Sequence, residues 1–321
     1  RSTAALGWSH QLTRSLLPTA ERAAMGNAWV FPGQGSQKPG MAAGLCEHTL
    51  GKERFALASE LLGRDLAAIC AGGASGELSD LNDTRNTQPA LFVVESCLVD
   101  LLHEQGRQAE LLAGHSLGEL VALYAGGVFD ARTGLELVIR RSQLMAAAGG
   151  GAMTAVMGFD RPALEGAVAT TADVVIANDN SDAQVVLSGS KEGVDAVVAA
   201  VTCKRAVPLA VSGAFHSPFM AEPAAAFAEQ LDGLSFADSR VPVLSNTDPT
   251  PCTDGAQLKD RLRAQMTTGV RWRETMQALA AAGITTTVEV GPGAVLSGLI
   301  KRSLKGVTPA QINGLDSLGQ A

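Results

Sequence analysis

The segment Gln108-Ala109-Glu110-Leu111-Leu112-Ala113-Gly114-His115-Ser116-Leu117-Gly118-Glu119 joins two opposite patterns. Gln108–Leu112 is short and partly apolar, which predicts a buried strand. Leu117, Leu120, Val121 and Tyr124 then fall on one face at helical spacing, and Gly126-Gly127 stops the run. Strand, Gly-x-Ser-x-Gly and helix together make a nucleophile elbow. Its glycines let the chain double back without a Cβ clash and leave the serine exposed at the turn. The N–H after that serine lies at the positive end of the new helix, where an oxyanion is stabilised. Ser116 is the candidate nucleophile.

Upstream, Ala28-Trp29-Val30-Phe31 reads as the first strand. Residues 1–24 carry no strand pattern; helical propensity flanks Pro18, and Met25 is expected to lie close to the natural start of the domain. The Gly-rich stretch Phe31–Met41 has neither a GKS/GKT nor a GxGxxG string, so phosphate binding is disfavoured. It is either an ordinary strand–helix turn or a loop whose amides approach a reacting atom. Residues 50–105 look helical, and His48 and His103 read as surface or packing residues.

Downstream, Ala131–Ala148 is a helix carrying Arg140 and Arg141. One is expected to be solvated, the other free to point into a pocket beside the elbow. Gly149-Gly150-Gly151 breaks the chain. Then Met153–Met157, Arg161–Ala169, Asp173–Ala177, Gln184–Leu187, Lys191–Val201 and Arg205–Leu209 alternate as βαββαβ, the ferredoxin-like order. The earlier style resumes with a strand at Val241–Asn246, another at Thr286–Val290 ending in Gly291-Pro292-Gly293, and a helix over Val295–Arg302. The expected organisation is a leader or linker at 1–26, a large α/β subdomain from 27–150 and 214–321, and a ferredoxin-like small subdomain inserted at 151–213.

Composition agrees with a packed α/β enzyme: 321 residues, 46% apolar and 18% charged, with 35 glycines for its turns. A net charge of −7 supplies no basic excess to neutralise phosphates, which argues against nucleic acid. The five cysteines are widely spaced without a CxxC pair, so buried free thiols are expected and no metal. With no long apolar run and no signal-like start, the expectation is a cytoplasmic chain away from membranes.

A serine hydroxyl needs a base near neutral pH. His115 adjoins the nucleophile on the same turn, where neighbouring side chains point apart, and is a poor base. His216, in Val211-Ser212-Gly213-Ala214-Phe215-His216-Ser217-Pro218, lies where the chain re-enters the large subdomain, at a natural cleft. It is either the base or a capped loop histidine.

Three motifs now stand together: Gly33-Gln34-Gly35-Ser36-Gln37, Gly114-His115-Ser116-Leu117-Gly118-Glu119 and Ala214-Phe215-His216-Ser217. Asn86-Thr87-Gln88-Pro89-Ala90, Gln265 followed by Val270-Arg271-Trp272, and Glu289-Val290-Gly291-Pro292-Gly293 accompany them. In this order, from Ala28 to Arg302, they resemble the malonyl-CoA:acyl-carrier-protein transacylase family, which includes acyltransferase domains of polyketide and fatty acid synthases. Val211–Met220 is most similar to acyltransferases that serve polyketide assembly lines in trans.

The resemblance implies an α/β-hydrolase-like large subdomain with parallel sheet and an inserted ferredoxin-like one. It implies malonyl transfer from malonyl-CoA to the phosphopantetheine thiol of an acyl carrier protein through a malonyl-serine, with no bound cofactor and a monomeric chain. Ser116 would be the nucleophile and His216 the base, oriented by the backbone carbonyl at Gln265 in place of a triad acid. The oxyanion hole would be the N–H groups of Gln34 and Leu117. Arg141 matches the family's carboxylate-binding arginine, its planar fork suited to two parallel hydrogen bonds. Gln88, His115 and Phe215 would line the substrate site, and a ring at Phe215 disfavours an α-methyl group by overpacking. Ser142 stands where the family usually has glycine, a departure expected to move the helix slightly.

Carrier proteins of this family are acidic, as is this chain, so docking would need a local basic patch from residues such as Lys204, Arg205, Arg271, Arg273, Lys301 and Arg302. The alternatives are an acyl hydrolase that clears carrier proteins, which would lack the arginine; an idle docking module, which intact Ser116 and His216 oppose; and a plain esterase, opposed by the missing third acid.

Overall fold

The structure, a computed structural model, describes residues 26–319. The expectations for residues 1–24 and for Met25 lie outside the described residues. β1 (Gly26–Phe31) runs through the middle of a parallel five-stranded sheet. It pairs with β2 (Leu111–Gly114) on one side and β8 (Ile284–Val290) on the other. Its side chains alternate between two cores: Trp29 and Phe31 enter one, Ala28 and Val30 the other. A strand apolar on both faces needs cover on both, and helices supply it.

β2 begins at Leu111, three residues later than the pattern suggests, because Gln108 and Glu110 are exposed before the ladder starts. Beyond it, β7 keeps only Val243–Leu244 of the strand expected over Val241–Asn246. Ser245 and Asn246 instead turn under the elbow. On the far edge lies β9 (Thr308–Ile312), which the sequence pattern did not announce. It contains Pro309, tolerable on an edge strand because the ladder-facing side need not draw on the N–H that proline lacks.

The helical stretch at 50–105 is three helices, Thr49–Leu62, Leu66–Ala71 and Thr84–Glu104, with 72–83 irregular. Gly63 and Gly72 end the first two in the left-handed conformation. Asp65 and Asp83 start the second and third by accepting from the Ala68 and Arg85 N–H groups.

β3 (Ala152–Phe159), β4 (Val174–Ser181), β5 (Gln184–Gly189) and β6 (Cys203–Pro208) form a separate antiparallel sheet in the order β4-β5-β3-β6. Val156, Val185 and Leu187 pack with Leu164, Val194 and Val197 of the helices Arg161–Thr170 and Lys191–Ala200. Their neighbours Met153, Ala155 and Val186 point to the opposite face, into the main core. The period of two thus lays one face of the small sheet against the large unit.

All five cysteines are free, but Cys46 and Cys203 are half-buried, which corrects the expectation of wholly buried thiols. No helix among the described residues is long and apolar enough to cross a membrane.

Glu95, on the helix Thr84–Glu104, is fully buried beside Glu289 of β8, and neither of its oxygens has a partner among the described residues. Glu289 accepts from the Leu296 and Ser297 N–H groups at the start of the last long helix. Burial, then the nearby Glu289, raises the Glu95 pKa well above the usual carboxylate range. An acid whose folded pKa is raised contributes stability below its unfolded pKa, and that contribution is lost as pH rises. Glu95→Gln is therefore expected to melt a few degrees above the wild type at pH 8, the gap closing toward pH 4, as read by thermal melts across that range.

Candidate active site

The elbow is held at both ends. Ser116 has φ 52°, a left-handed conformation that costs a non-glycine residue about 1–3 kcal/mol. Asn246, delivered by the chain after β7, offsets this. Its Oδ1 accepts the Ser116 N–H at 2.8 Å while its Nδ2 donates to the Gly114 carbonyl at 2.6 Å. Gly114 and Gly118 pass so close that a Cβ on either would overlap backbone of the other turn or of Phe31. These contacts explain the Gly-x-Ser-x-Gly spacing physically.

His216 also has a positive φ, 54°, and sits between β6 and the helix Ala221–Asp232. Its Nε2 lies 2.7 Å from Ser116 Oγ. Its Nδ1 lies 3.0 Å from the Gln265 carbonyl oxygen, which has no proton to give. The Nδ1–H tautomer follows, leaving Nε2 to accept from the serine hydroxyl. His216 is 3% exposed, and its pKa is pushed down to about 3 by burial, with the positive charge of Arg141 adding to the effect and the Gln265 carbonyl opposing it.

Arg141 is buried while Arg140 is exposed, which separates the two candidates on that helix. Its guanidinium donates to Gln88 Oε1 at 2.6 Å, to Gln265 Oε1 at 2.9 Å and to Ser116 Oγ at 3.1 Å. Burial lowers its pKa to about 10, so the cation persists at neutral pH. Gln88 also donates to Thr84 Oγ1, which in turn donates to Gln34 Oε1, tying the Gly-rich loop to the same network. The N–H groups of Gln34 and Leu117 have no acceptor among the described residues, and both residues line a cavity of about 220 Å³ with Ser116, His216, Arg141 and Phe215.

His115 turns away from the serine. Its Nε2 lies 2.8 Å from Asn180 Oδ1 on β4, and its ring lies 5.6 Å from that of Trp272. It lines the cavity wall without reaching the Ser116 hydroxyl.

The model of the acyl transferase domain family matches residues 28–317. A malonyl CoA-acyl carrier protein transacylase of Synechocystis sp. is 51% identical, over 92% of this chain and 99% of its own. The Escherichia coli protein of that name is 38% identical, over 92% of this chain and 98% of its own. The crystal structure of the Synechocystis malonyl-CoA:ACP transacylase superposes with a TM-score of 0.88 at 50% identity, covering 92% and 100% of the two chains. A type II polyketide synthase acyl-carrier protein in complex with its malonyl-transacylase contains a chain with a TM-score of 0.85 at 38% identity, covering 91% and 97%. The chain belongs to the acyl transferase domain family.

In this acyl transferase several side chains escaped sequence reasoning. Asn246 was visible only as the end of an expected strand, and Asn178 and Asn180 lay beyond the strand expected over Asp173–Ala177, which the structure extends to Ser181. Glu119 was visible only as the last letter of the elbow motif. Their partners are more than 60 positions away in the chain, beyond any local pattern. The Ser142 hydroxyl is spent on the Ile139 carbonyl of its own helix at 2.8 Å. The expected basic patch is smaller than six residues. Arg271 pairs with Glu274, and Arg273 with Asp179, leaving Lys204, Arg205, Lys301 and Arg302 exposed.

Proposed function

We propose that this chain transfers the malonyl group of malonyl-CoA to the phosphopantetheine thiol of an acyl carrier protein, with Ser116 as nucleophile and His216 as general base. One observation carries the reading: the hydroxyl that His216 Nε2 faces at 2.7 Å is also contacted by a buried guanidinium at 3.1 Å. A base and a carboxylate-binding fork thus converge on one oxygen. Relatives named as malonyl CoA-acyl carrier protein transacylases support the donor and the acceptor.

In the first half-reaction the Ser116 Oγ proton passes to His216 Nε2 as Oγ attacks the thioester carbon. The oxyanion is met by the N–H groups of Gln34 and Leu117, neither of which gives up another hydrogen bond to do so. The C–S bond breaks and the CoA sulfur leaves with the imidazolium proton. The carrier thiol then loses its proton to His216, attacks the ester carbon, and returns Ser116 as the alcohol.

Burial, and then the Arg141 charge, make His216 a weak base. A malonyl carboxylate on that guanidinium cancels the charge and lifts the imidazole's basicity as the substrate arrives. Acetyl-CoA brings no such anion. A hydrolase reading lacks this logic, because a buried arginine serves no purpose in handing an acyl group to water. We further propose that the chain acts as a monomer with no resident cofactor or metal and no nucleic-acid partner, and that Lys204, Arg205, Lys301 and Arg302 face the acidic carrier.

Loading from an equimolar mixture of acetyl-, malonyl- and methylmalonyl-CoA, followed by intact mass, tests the reading. Malonyl is expected to dominate, and an acetyl-dominated protein would overturn it. Phe215, 6% exposed and in the cavity wall, sets the room beside the acyl α-carbon. Relief of overpacking is worth about 1–3 kcal/mol, so Phe215→Ser is expected to raise the methylmalonyl-to-malonyl ratio by ~5–150-fold. An unchanged ratio would assign pocket depth to other side chains.

A further inference from the structure

Arg141 is 1% exposed, yet among the described residues no carboxylate lies within ion-pair distance of its guanidinium. Its partners are two neutral amides and an alcohol, and its Nε has no acceptor among the described residues. An isolated buried cation is costly, so a compensating charge is required nearby. Glu119 supplies one. It lies in the first turn of the elbow helix Gly118–Gly126, fully buried. Its Oε2 accepts from Gln265 Nε2 at 2.7 Å and from the Asn246 main-chain N–H at 3.1 Å, while Oε1 has no partner among the described residues.

A single amide therefore separates the two charges. Gln265 turns Oε1 to Arg141 and Nε2 to Glu119, while its Nε2 also donates to the Ser116 carbonyl at 2.9 Å. The amide dipole is aligned with both ends, negative toward the cation and positive toward the anion. In direct contact, Glu119 would occupy the guanidinium fork, and an incoming carboxylate would have to break a buried ion pair. At one amide's remove it balances the charge without occupying the fork.

We propose that Glu119 is a positioning residue for acyl selection: it is the offset counter-charge of Arg141, held by Gln265 where it balances the buried cation yet leaves the guanidinium free for the acyl carboxylate. The proposal rests on the reading of Arg141 as the carboxylate holder. It adds that the strength of that hold is set from the far side of Gln265. Burial raises the Glu119 pKa, and the hydrogen bonds from Gln265 and the Asn246 N–H, with the Arg141 charge, oppose that rise and favour the carboxylate. The acyl carboxylate then meets a guanidinium whose charge is already partly offset, so the malonyl group is retained firmly enough to be selected and loosely enough to be passed on.

Glu119→Gln keeps the shape and the oxygen that Gln265 Nε2 needs, and removes only the charge. Its melting temperature is expected to fall, and malonylation of Ser116 is expected to restore more of that loss than acetylation does, because the malonyl carboxylate replaces the missing anion. KM for malonyl-CoA is expected to fall on the order of tenfold with kcat falling alongside it, while KM for acetyl-CoA stays unchanged. In Glu119→Gln/Arg141→Met the orphaned charge is gone, and the double variant is expected to melt close to Arg141→Met alone. Additive losses in that cycle, or equal recovery with malonyl and acetyl groups, would overturn the proposal. So would a double variant that fails to fold where Arg141→Met folds, since Glu119 would then be needed for packing alone. The reading of Arg141 fails separately: a coupled cycle with an unchanged malonyl-to-acetyl ratio in Arg141→Ala overturns that reading and the selective purpose with it. An uncoupled cycle with a lost malonyl preference overturns only the role of Glu119.

Discussion

Ser116→Ala is expected to bind malonyl-CoA and gain no mass from it, where the wild type gains one malonyl group per chain. Transfer to a carrier protein should fall by at least about 10⁴-fold, because residual catalysis would come only from the oxyanion donors and from binding. The loss should not be a folding defect. Alanine removes an oxygen that contacts His216 and Arg141, and the Ser116 N–H keeps its bond to Asn246 Oδ1. The left-handed backbone at that position is no easier for alanine than for serine, so a small drop in melting temperature is expected and a collapse is not. An undiminished malonyl adduct in intact-mass spectra would move the nucleophile elsewhere and dissolve the mechanism. His216→Ala should show the same missing adduct. The two substitutions together should cost little more than either alone, since the hydroxyl and its base act as one unit.

Arg141→Ala is expected to separate binding of the carboxylate from the chemistry. Truncating one partner of a buried charge pair costs about 2–5 kcal/mol, so malonyl transfer should fall by ~30–4,000-fold. Acetyl transfer should rise, for two reasons. The cavity gains space, and the positive charge that depresses the His216 pKa is removed, making the imidazole a stronger base. Equal losses for both donors would reject the carboxylate role. Arg141→Lys should recover little of the malonyl activity, because an ammonium cannot span Gln88, Gln265 and an incoming carboxylate from one plane as the guanidinium does.

The two substitutions probe different kinds of information. Ser116 could be named from a dozen consecutive residues, because a strand, a glycine-flanked turn and a helix are local events with local steric causes. The βαββαβ order was likewise legible in the alternation from Met153 to Leu209, and the observed sheet order β4-β5-β3-β6 is the one that pattern implies. Boundaries were less legible where a neighbour decides them. The strand expected to end at Asn246 stops at Leu244, since Asn246 is drawn beneath the elbow by Ser116 and Gly114. β9 was silent in the sequence because a short edge strand containing proline has almost no pattern of its own.

Sequence alone therefore determined the fold class, the order of its parts and the residues carrying the motifs, all of which depend on local conformation and hydrophobic period. It also distinguished the family, through motifs spread from Gly33 to Gly293. The resemblance implied Arg141 over Arg140 and the Gln265 carbonyl behind His216; tertiary structure alone decided the contacts those side chains make and brought the buried Glu119 to Gln265. Such contacts include Ser116 to His216, 100 residues apart, and Glu119 to Gln265, 146 apart. Over such separations hydrogen-bond geometry and desolvation depend on where the folded sheets bring the side chains, and the spacing of letters along the chain carries no record of it.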